Sequence, residues 1–246
     1  MPDDKPFFSR VLLKVSGEAF CPAGQLGIDP AELTLIAKEI YAAAQQGTQL
    51  AVVCGGGNII RGAALAKASD FNQASADYMG MLGTAINGLA LKEALEALGQ
   101  PARVMSALAM SSVAEPYIRG RALRHLEKGR VVIFVGGTGN PFFTTDSAAA
   151  LRASEIGADA VLKATKVDGV YDKDPNKFED AKRFDTISFA AAITKQLKVM
   201  DLTAFAMCQE RGIPIIVFNM KTPGHIAEVV AGVEHGTRVG YRDIAR

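Results

Sequence analysis

Apolar residues in this chain gather in short, nearly unbroken runs rather than in strict alternation: Val11–Val15, Leu50–Cys54, Ala102–Met105, Val131–Val135, Ala160–Leu162 and Ile213–Phe218. Runs of this length, rich in branched side chains, predict strands covered on both faces, as in a parallel sheet. Between them the apolar positions take a helical spacing. Asp29 before Pro30 is a helix-start signal and Gly47 a stop, so a helix is predicted over Pro30–Gln46. Further helices are predicted over Ser75–Leu98, Pro116–Lys128, Thr145–Ile156, Leu202–Glu210 and Pro223–Ala231. Strands alternating with helices require right-handed crossovers, and the expected fold is α/β, a three-layer α/β/α sandwich with a mostly parallel central sheet. No repeat, low-complexity tract or linker divides it, so residues 1–246 are expected to form a single domain, with residues 1–8 a flexible N-terminal stretch. Asp168–Asp185, dense in Asp, Lys, Pro and Gly, is expected to be a surface loop or small hairpin within that domain.

Composition narrows the partners. At 246 residues, 49% hydrophobic and 22% charged, the chain has the make-up of a globular protein with a sizeable core. Its 27 basic residues against 26 acidic give a net charge of +1, which offers no electrostatic footprint for nucleic acid and leaves a small ligand as the expected partner. No run approaches the roughly 20 apolar residues that span a bilayer, so no membrane partner is expected. The start lacks the basic and apolar segments of a signal peptide, and Cys21, Cys54 and Cys208 form no CxxC pair; a cytoplasmic location is expected. His125, His225 and His235 lack metal-ligand spacing, and Asp168, Asp172 and Asp174 do not follow a calcium-loop pattern, so no dedicated protein metal site is expected. The basic stretch Arg119, Arg121, Arg124, His125, Lys128 and Arg130 is read as a solvated or subunit-facing surface in preference to an anionic effector site.

The candidate chemistry lies where strands end. Three strands run into small residues: Val15-Ser16-Gly17, Gly55-Gly56-Gly57-Asn58 and Gly136-Gly137-Thr138-Gly139-Asn140. Ligands of open parallel sheets bind beyond the carboxyl ends of the strands, where glycine lets backbone N–H groups approach phosphate and the next helix presents its positive end. Neither GxxxxGK[ST] nor a strand-borne GxGxxG is present, which sets aside an ordinary P-loop enzyme and a dinucleotide-binding dehydrogenase. Lys14 and Lys163 each sit inside an apolar run, where a cation is costly without an anion to meet it; both are placed to stabilise charge on a transferring phosphoryl group. Arg61, one helical turn after the triple glycine, could grip phosphate with its planar fork, and Asp146, in the first turn of its helix, could orient the lysines.

Leu13-Lys14-Val15-Ser16-Gly17-Glu18, Gly55-Gly56-Gly57-Asn58 with Arg61-Gly62, Gly137 to Asp146, and Lys163-Ala164-Thr165-Lys166-Val167-Asp168-Gly169-Val170-Tyr171 resemble the bacterial uridylate kinases of the amino-acid kinase superfamily. The resemblance runs from about Lys14 to the C-terminus and implies transfer of the γ-phosphoryl of ATP to UMP, with Mg²⁺ carried mainly by the nucleotide. On matching positions it implies Lys14, Val15, Ser16, Gly17, Gly57, Arg61, Thr165, Tyr171 and Asp174 on the ATP side. For UMP it implies Gly56, Asp77 and the run Thr138, Gly139, Asn140, Pro141, Phe142, Phe143, Thr144 and Thr145. Lys14, Lys163 and Asp146 are the expected catalytic residues, with Lys198 and Asp201 behind them. The resemblance also implies a homohexamer, UTP as an inhibitor and GTP as a candidate activator. Arg103 and Arg130 fit the GTP-responsive pattern, whereas Lys92, Glu93, Glu96, Arg119, Arg124 and Glu127 depart from it.

Overall fold

The computed structural model describes residues 6–60, 71–175, 177–197 and 199–240. Among them, nine strands form one sheet. They are β1 (Arg10–Val15), β2 (Gln49–Cys54), β3 (Ala102–Ser106), β4 (Glu115–Pro116), β5 (Val131–Val135), β6 (Ala160–Thr165), β9 (Thr186–Ile187), β10 (Ile215–Asn219) and β11 (Thr237–Val239). Their spatial order is β4-β3-β5-β2-β1-β6-β10-β11-β9, and β7 (Val170–Tyr171) with β8 (Arg183–Phe184) forms a separate hairpin. Every pairing in the large sheet is parallel except β10 with β11.

Helices α1 (Pro30–Ala44), α2 (Gln73–Ala97), α3 (Arg119–Glu127), α4 (Thr145–Ile156), α5 (Phe189–Thr194), α6 (Leu202–Arg211) and α7 (His225–Val230) cover the two faces. Along β1 the side chains alternate between two cores: Val11, Leu13 and Val15 pack with α1, α2 and α7, while Leu12 packs with α3, α4, α5 and α6. This is the expected three-layer sandwich. Leu12 and Leu13 are both fully buried, and burying a leucine is worth roughly 2 kcal/mol, so β1 is fixed from both sides. By the same alternation Lys14 lies on the face of Leu12, and Lys163 on the face of Val161, both toward α4.

Several boundaries differ from expectation for identifiable reasons. β6 continues past Leu162 to Thr165, because Lys163 and Thr165 keep their places in the ladder opposite Lys14 and Asn219. The helix expected from Pro116 begins at Arg119: Glu115–Pro116 is an edge strand, and Tyr117 N–H extends its pairing to the Ser106 carbonyl at 2.8 Å. The helix expected from Ser75 starts two residues earlier, where the Asn72 side chain accepts from Ala74 N–H at 2.9 Å. The last helix opens at His225 rather than Pro223, since Gly224 at its N-cap has φ +89°. Within Asp168–Asp185 the chain forms the β7–β8 hairpin. Of the N-terminal stretch, residues 1–5 lie outside the described residues, and Phe8 is buried in the core with α1 and α7.

Candidate active site

β1 and β6 lie side by side with Lys14 directly opposite Lys163. Like charges facing each other across a strand pair are destabilising, and here an acid lies between them. Asp146, in the first turn of α4, meets Lys14 Nζ through Oδ1 at 3.0 Å and Lys163 Nζ through Oδ2 at 2.7 Å. All three side chains are only 12–15% exposed. Lys163 also donates to the Val199 carbonyl at 2.5 Å. Oδ1 of Asp146 is buried and accepts no directed hydrogen bond, so its contact with Lys14 is ionic in geometry. Burial pushes the Asp146 carboxyl up, but Lys14 and Lys163 outweigh it and hold the group below the usual carboxylate range. Burial also lowers the Lys163 ammonium, Asp146 opposes this and Lys14 adds to it; the result lies below the usual lysine value. With all three groups ionised the trio carries a net charge of +1, which the nearby Asp201 partly offsets at Lys163.

The glycine loops surround this cluster. A Cβ on Gly17 would stand 2.5 Å from Gly57 N, so only glycine allows the loop after β1 to touch the loop after β2. A Cβ on Gly56 would stand 2.6 Å from the Gly80 carbonyl of α2. Two buried amides hold the second loop from below. Asn87 Nδ2 donates to the Gly55 carbonyl and to Asn58 Oδ1, both at 2.7 Å, and Asn58 Nδ2 donates back to Asn87 Oδ1 at 3.0 Å. The third loop is tied to α2 at two points. Gly136 N–H donates to Thr84 Oγ1 at 2.8 Å, and Phe142 N–H donates to Asp77 Oδ2 at 2.8 Å. Phe142 holds φ +70°, a conformation that costs a non-glycine residue roughly 1–2 kcal/mol, and the Asp77 bond offsets it. Asp77 Oδ1 meanwhile accepts from Gln73 Nε2 at 2.7 Å.

Thr144 caps α4 by accepting from the N–H groups of Asp146 at 3.0 Å and Ser147 at 3.3 Å, and its hydroxyl donates to Asp201. Asp201 also accepts from Ser147 Oγ at 3.1 Å and caps α6 through Ala204 N–H at 2.9 Å. It is a positioning residue that fastens the first turn of α4, and therefore Asp146, to α6.

Two cavities adjoin the cluster. The larger, about 500 Å³, includes Lys14, Ser16, Glu39, Lys163, Thr165 and Lys221 in its wall. The smaller, about 200 Å³, includes Gly56, Gly57, Asp77, Thr138, Asn140 and Phe143, and ends at Thr144 and Thr145. Lys14 and Lys163 line the larger space, and Asp146 directly follows Thr144 and Thr145 of the smaller, so the cluster faces the first through its lysines and is linked to the second through the first turn of α4. Of the remaining expected residues, Val15 is core and Gly17 forms the loop junction. Gly139, Pro141 and Phe142 belong to the loop bounding the smaller cavity without lining it. Tyr171 and Asp174 line neither: the Tyr171 hydroxyl donates to Asp168 Oδ1 at 2.5 Å, and Asp174 pairs with Lys177 at 3.8 Å. Arg61 and Lys198 lie outside the described residues. Thr84, Asn87 and Glu39 were not expected at the site. For the first two, the available signal was a polar residue on the inward face of a long helix.

The sequence profile of the amino acid kinase family matches residues 9–219. Among solved structures, a UMP kinase from Bacillus anthracis is similar at 37% identity and a TM-score of 0.93, over 97% of this chain and 98% of that one. A UMP kinase from Ureaplasma parvum is similar at 39% identity and a TM-score of 0.90, over 95% and 99%. A uridylate kinase from Archaeoglobus fulgidus shares 28% identity at a TM-score of 0.71, over 94% and 99%.

Proposed function

This chain belongs to the amino acid kinase family, and from that premise we propose that it is a UMP kinase, transferring the γ-phosphoryl group of ATP to UMP to give UDP and ADP. The observation that carries this reading is the Lys14–Asp146–Lys163 cluster, whose lysines line the larger cavity and whose aspartate directly follows Thr144 and Thr145 of the smaller. ATP is assigned to the larger cavity and UMP to the smaller.

The acceptor oxygen belongs to a phosphate that is already anionic, so the attack requires no general base. The work of the protein is to bring two polyanions together in line and to neutralise charge as it spreads over the transferring group. Lys14 and Lys163 supply that charge from buried positions, where it acts through a low dielectric. Asp146, paired with both, holds the two ammonium groups in place. Ser16 and the loop at Gly17 face the phosphates of ATP, and Thr165 is on the adenosine side. Gly57, which lines the smaller cavity, offers its N–H where the two phosphates meet, and Arg61 keeps the phosphate role that its motif implies. Tyr171 and Asp174, which line neither cavity, are given no contact with ATP. Gly56 and the loop from Thr138 to Thr145 enclose UMP. Asp77 suits the ribose hydroxyls, although it also holds the Phe142 amide, so its effect on UMP runs partly through the loop.

Mg²⁺ is assigned as the cofactor. The donor set fits an ion carried on the nucleotide, because the one buried carboxylate at the cluster is engaged by two lysines and leaves only Oδ1 of Asp146 without a directed hydrogen bond. When bound, Mg²⁺ would screen the phosphate oxygens of ATP. The exposed stripe Tyr78, Leu82 and Ile86 on α2 supports assembly into a homohexamer. UTP as an inhibitor and GTP as a candidate activator complete the reading. A cytoplasmic location is part of the same reading, supported by three buried free cysteines; no described helix is long and apolar enough to cross a membrane.

A coupled assay with UMP, CMP and dCMP as acceptors, repeated with UTP and GTP added, tests the assignment. UDP formed from UMP in preference to products from the other two acceptors is expected. Turnover confined to a carboxylate or carbamate acceptor, giving an acyl or carbamoyl phosphate, would overturn it.

A further inference from the structure

His225 and His235 stand ten residues apart in sequence, a spacing that suggests no metal, yet the fold stacks their rings with centroids 4.2 Å apart and planes within 18°. Glu228, one turn along α7 from His225, joins them: its Oε2 lies 2.6 Å from His235 Nε2. One ligand-type atom from each of the three residues falls within 4.8 Å of the others. This group lies apart from the Lys14–Asp146–Lys163 cluster and takes no part in the proposed transfer.

We propose that His225, Glu228 and His235 form a binding site for a divalent d-block cation of the zinc type. Two imidazoles and a carboxylate are a ligand set that such ions favour and that magnesium, which prefers oxygen and water, does not.

The surrounding structure orients the ligands in advance. His225 Nδ1 lies 3.0 Å from the carbonyl of Asn219, at the end of β10. A carbonyl can only accept, so Nδ1 carries the proton and Nε2 of the neutral ring holds its lone pair for a ligand. Fixing the second ring nitrogen on a backbone carbonyl is the usual outer support of a metal-bound histidine. His235 is held by the chain itself. The next residue, Gly236, passes so close to β10 that a Cβ there would stand 1.9 Å from the Val217 carbonyl, and its φ of +77° also favours glycine. His225 and His235 are partly buried and Glu228 is exposed, which leaves the ion a way in and room for water to complete its coordination.

In the structure His235 Nε2 faces Glu228 Oε2 at 2.6 Å. The incoming cation takes the place of this hydrogen bond: the carboxylate and the Nε2 lone pair of the neutral imidazole, with its proton on Nδ1, become ligands, and no electron moves. Binding fastens the first turn of α7 to the turn that leads into β11. Met220, Lys221 and Pro223, just ahead of that helix, line the larger cavity, and Gly224 N–H donates to Glu39 Oε1 at 2.8 Å. The site therefore lies one turn from the wall of the cavity assigned to ATP.

Zn²⁺ titration of the chelator-stripped, nucleotide-free full chain, followed by calorimetry and by the visible absorption of Co²⁺ as a substitute, tests the proposal. Expected are one ion per chain, a Co²⁺ ligand-field band and no competition from millimolar Mg²⁺. His225→Asn keeps an N–H donor for the Asn219 carbonyl while removing Nε2, and Glu228→Gln alters an exposed side chain; both keep the metal-free melting curve close to wild type. Each is expected to weaken Zn²⁺ binding at least tenfold and to remove the Co²⁺ band. Absence of saturable binding, or Zn²⁺ affinity unchanged in both variants, would overturn it.

Discussion

The larger cavity is walled chiefly by long side chains, Lys14, Glu39, Lys163, Lys166 and Lys221, whereas the smaller is walled mostly by main chain and short side chains at Gly56, Gly57, Gly80, Gly137, Thr138 and Thr145. The smaller cavity is also the more firmly braced. Asn58 and Asn87 tie its first loop to α2 through buried amides, and Thr84 and Asp77 hold its second at Gly136 and Phe142. Around the larger cavity the polar groups form ion pairs near the surface, such as Lys166 with Glu18 at 3.1 Å, of a kind worth about 1 kcal/mol or less. The difference assigns selectivity to the braced side, where fixed backbone groups can reject a wrong acceptor, and charge neutralisation to the side that carries Lys14 and Lys163. The Lys14–Asp146–Lys163 cluster joins the two.

Removing the shared centre should produce the largest effect. Lys14→Ala is expected to lower kcat by about 100-fold or more, roughly 3 kcal/mol of transition-state stabilisation, with a smaller change in UMP affinity. Steady-state kinetics with UMP binding measured separately checks this, and near-normal turnover would remove Lys14 from the mechanism. The variant has a second expected consequence. Asp146 loses one of the two cations that hold its carboxyl down, so its pKa should rise and Lys163 should be its only remaining ionic partner.

How far this centre could be read from the sequence depended on burial. Lys14 and Lys163 were conspicuous because each interrupts an apolar run, and Asp146 because it opens a helix beside a glycine loop. Their meeting at one point was not legible, since it depends on the β1–β6 register and on α4 crossing that face. Buried parallel strands such as Val131–Val135 and the well-capped helix Thr145–Ile156 matched expectation at both ends. The antiparallel strand Thr237–Val239 did not stand out, because three residues with an arginine in the middle carry no run of their own. β6 looked shorter than it is because Lys163 and Thr165, which line the larger cavity, are polar. The structural supports were least visible: Asn87 bonds the Gly55 carbonyl and Asn58, both distant in sequence, and Asp201, named only through the resemblance, acts by accepting from Thr144 and Ser147.

The bracing of the smaller cavity can be weakened selectively. Asn87→Leu removes one buried amide and leaves Asn58 only its bond to the Gly27 carbonyl, and is expected to cost about 1–3 kcal/mol of stability in denaturant melts. If bracing sets selectivity, the same variant should raise KM for UMP more than KM for ATP; equal changes would contradict the contrast between the cavities. Asp77→Asn, which weakens the hold on Phe142 and on the ribose, should also raise KM for UMP, by about fivefold for the loss of about 1 kcal/mol, with KM for ATP nearly constant.

The smallest expected effect is a pH shift. Burial lowers the Lys163 ammonium below the ordinary lysine value of about 10.4. The charge is present below the folded-state pKa and is lost as pH rises through it, so kcat should decline on the alkaline side before a surface lysine would titrate. Asp146→Asn removes the partner that opposes this lowering and should move the decline further toward neutrality, as a pH–rate profile would report. Stability has the opposite sign on the acid side. The lowered Asp146 carboxyl contributes stability above its unfolded value, and that contribution disappears as pH falls through its folded value.

The central claim is that ATP and UMP meet at the Lys14–Asp146–Lys163 cluster, one in each cavity. A crystal structure with UMP and a non-hydrolysable ATP analogue measures this most directly. The account predicts the γ-phosphate and the UMP phosphate facing each other, with Lys14 Nζ and Lys163 Nζ within hydrogen-bonding distance of the group to be transferred. Phosphate tails bound away from both lysines, or both nucleotides lodged in the same cavity, would contradict it.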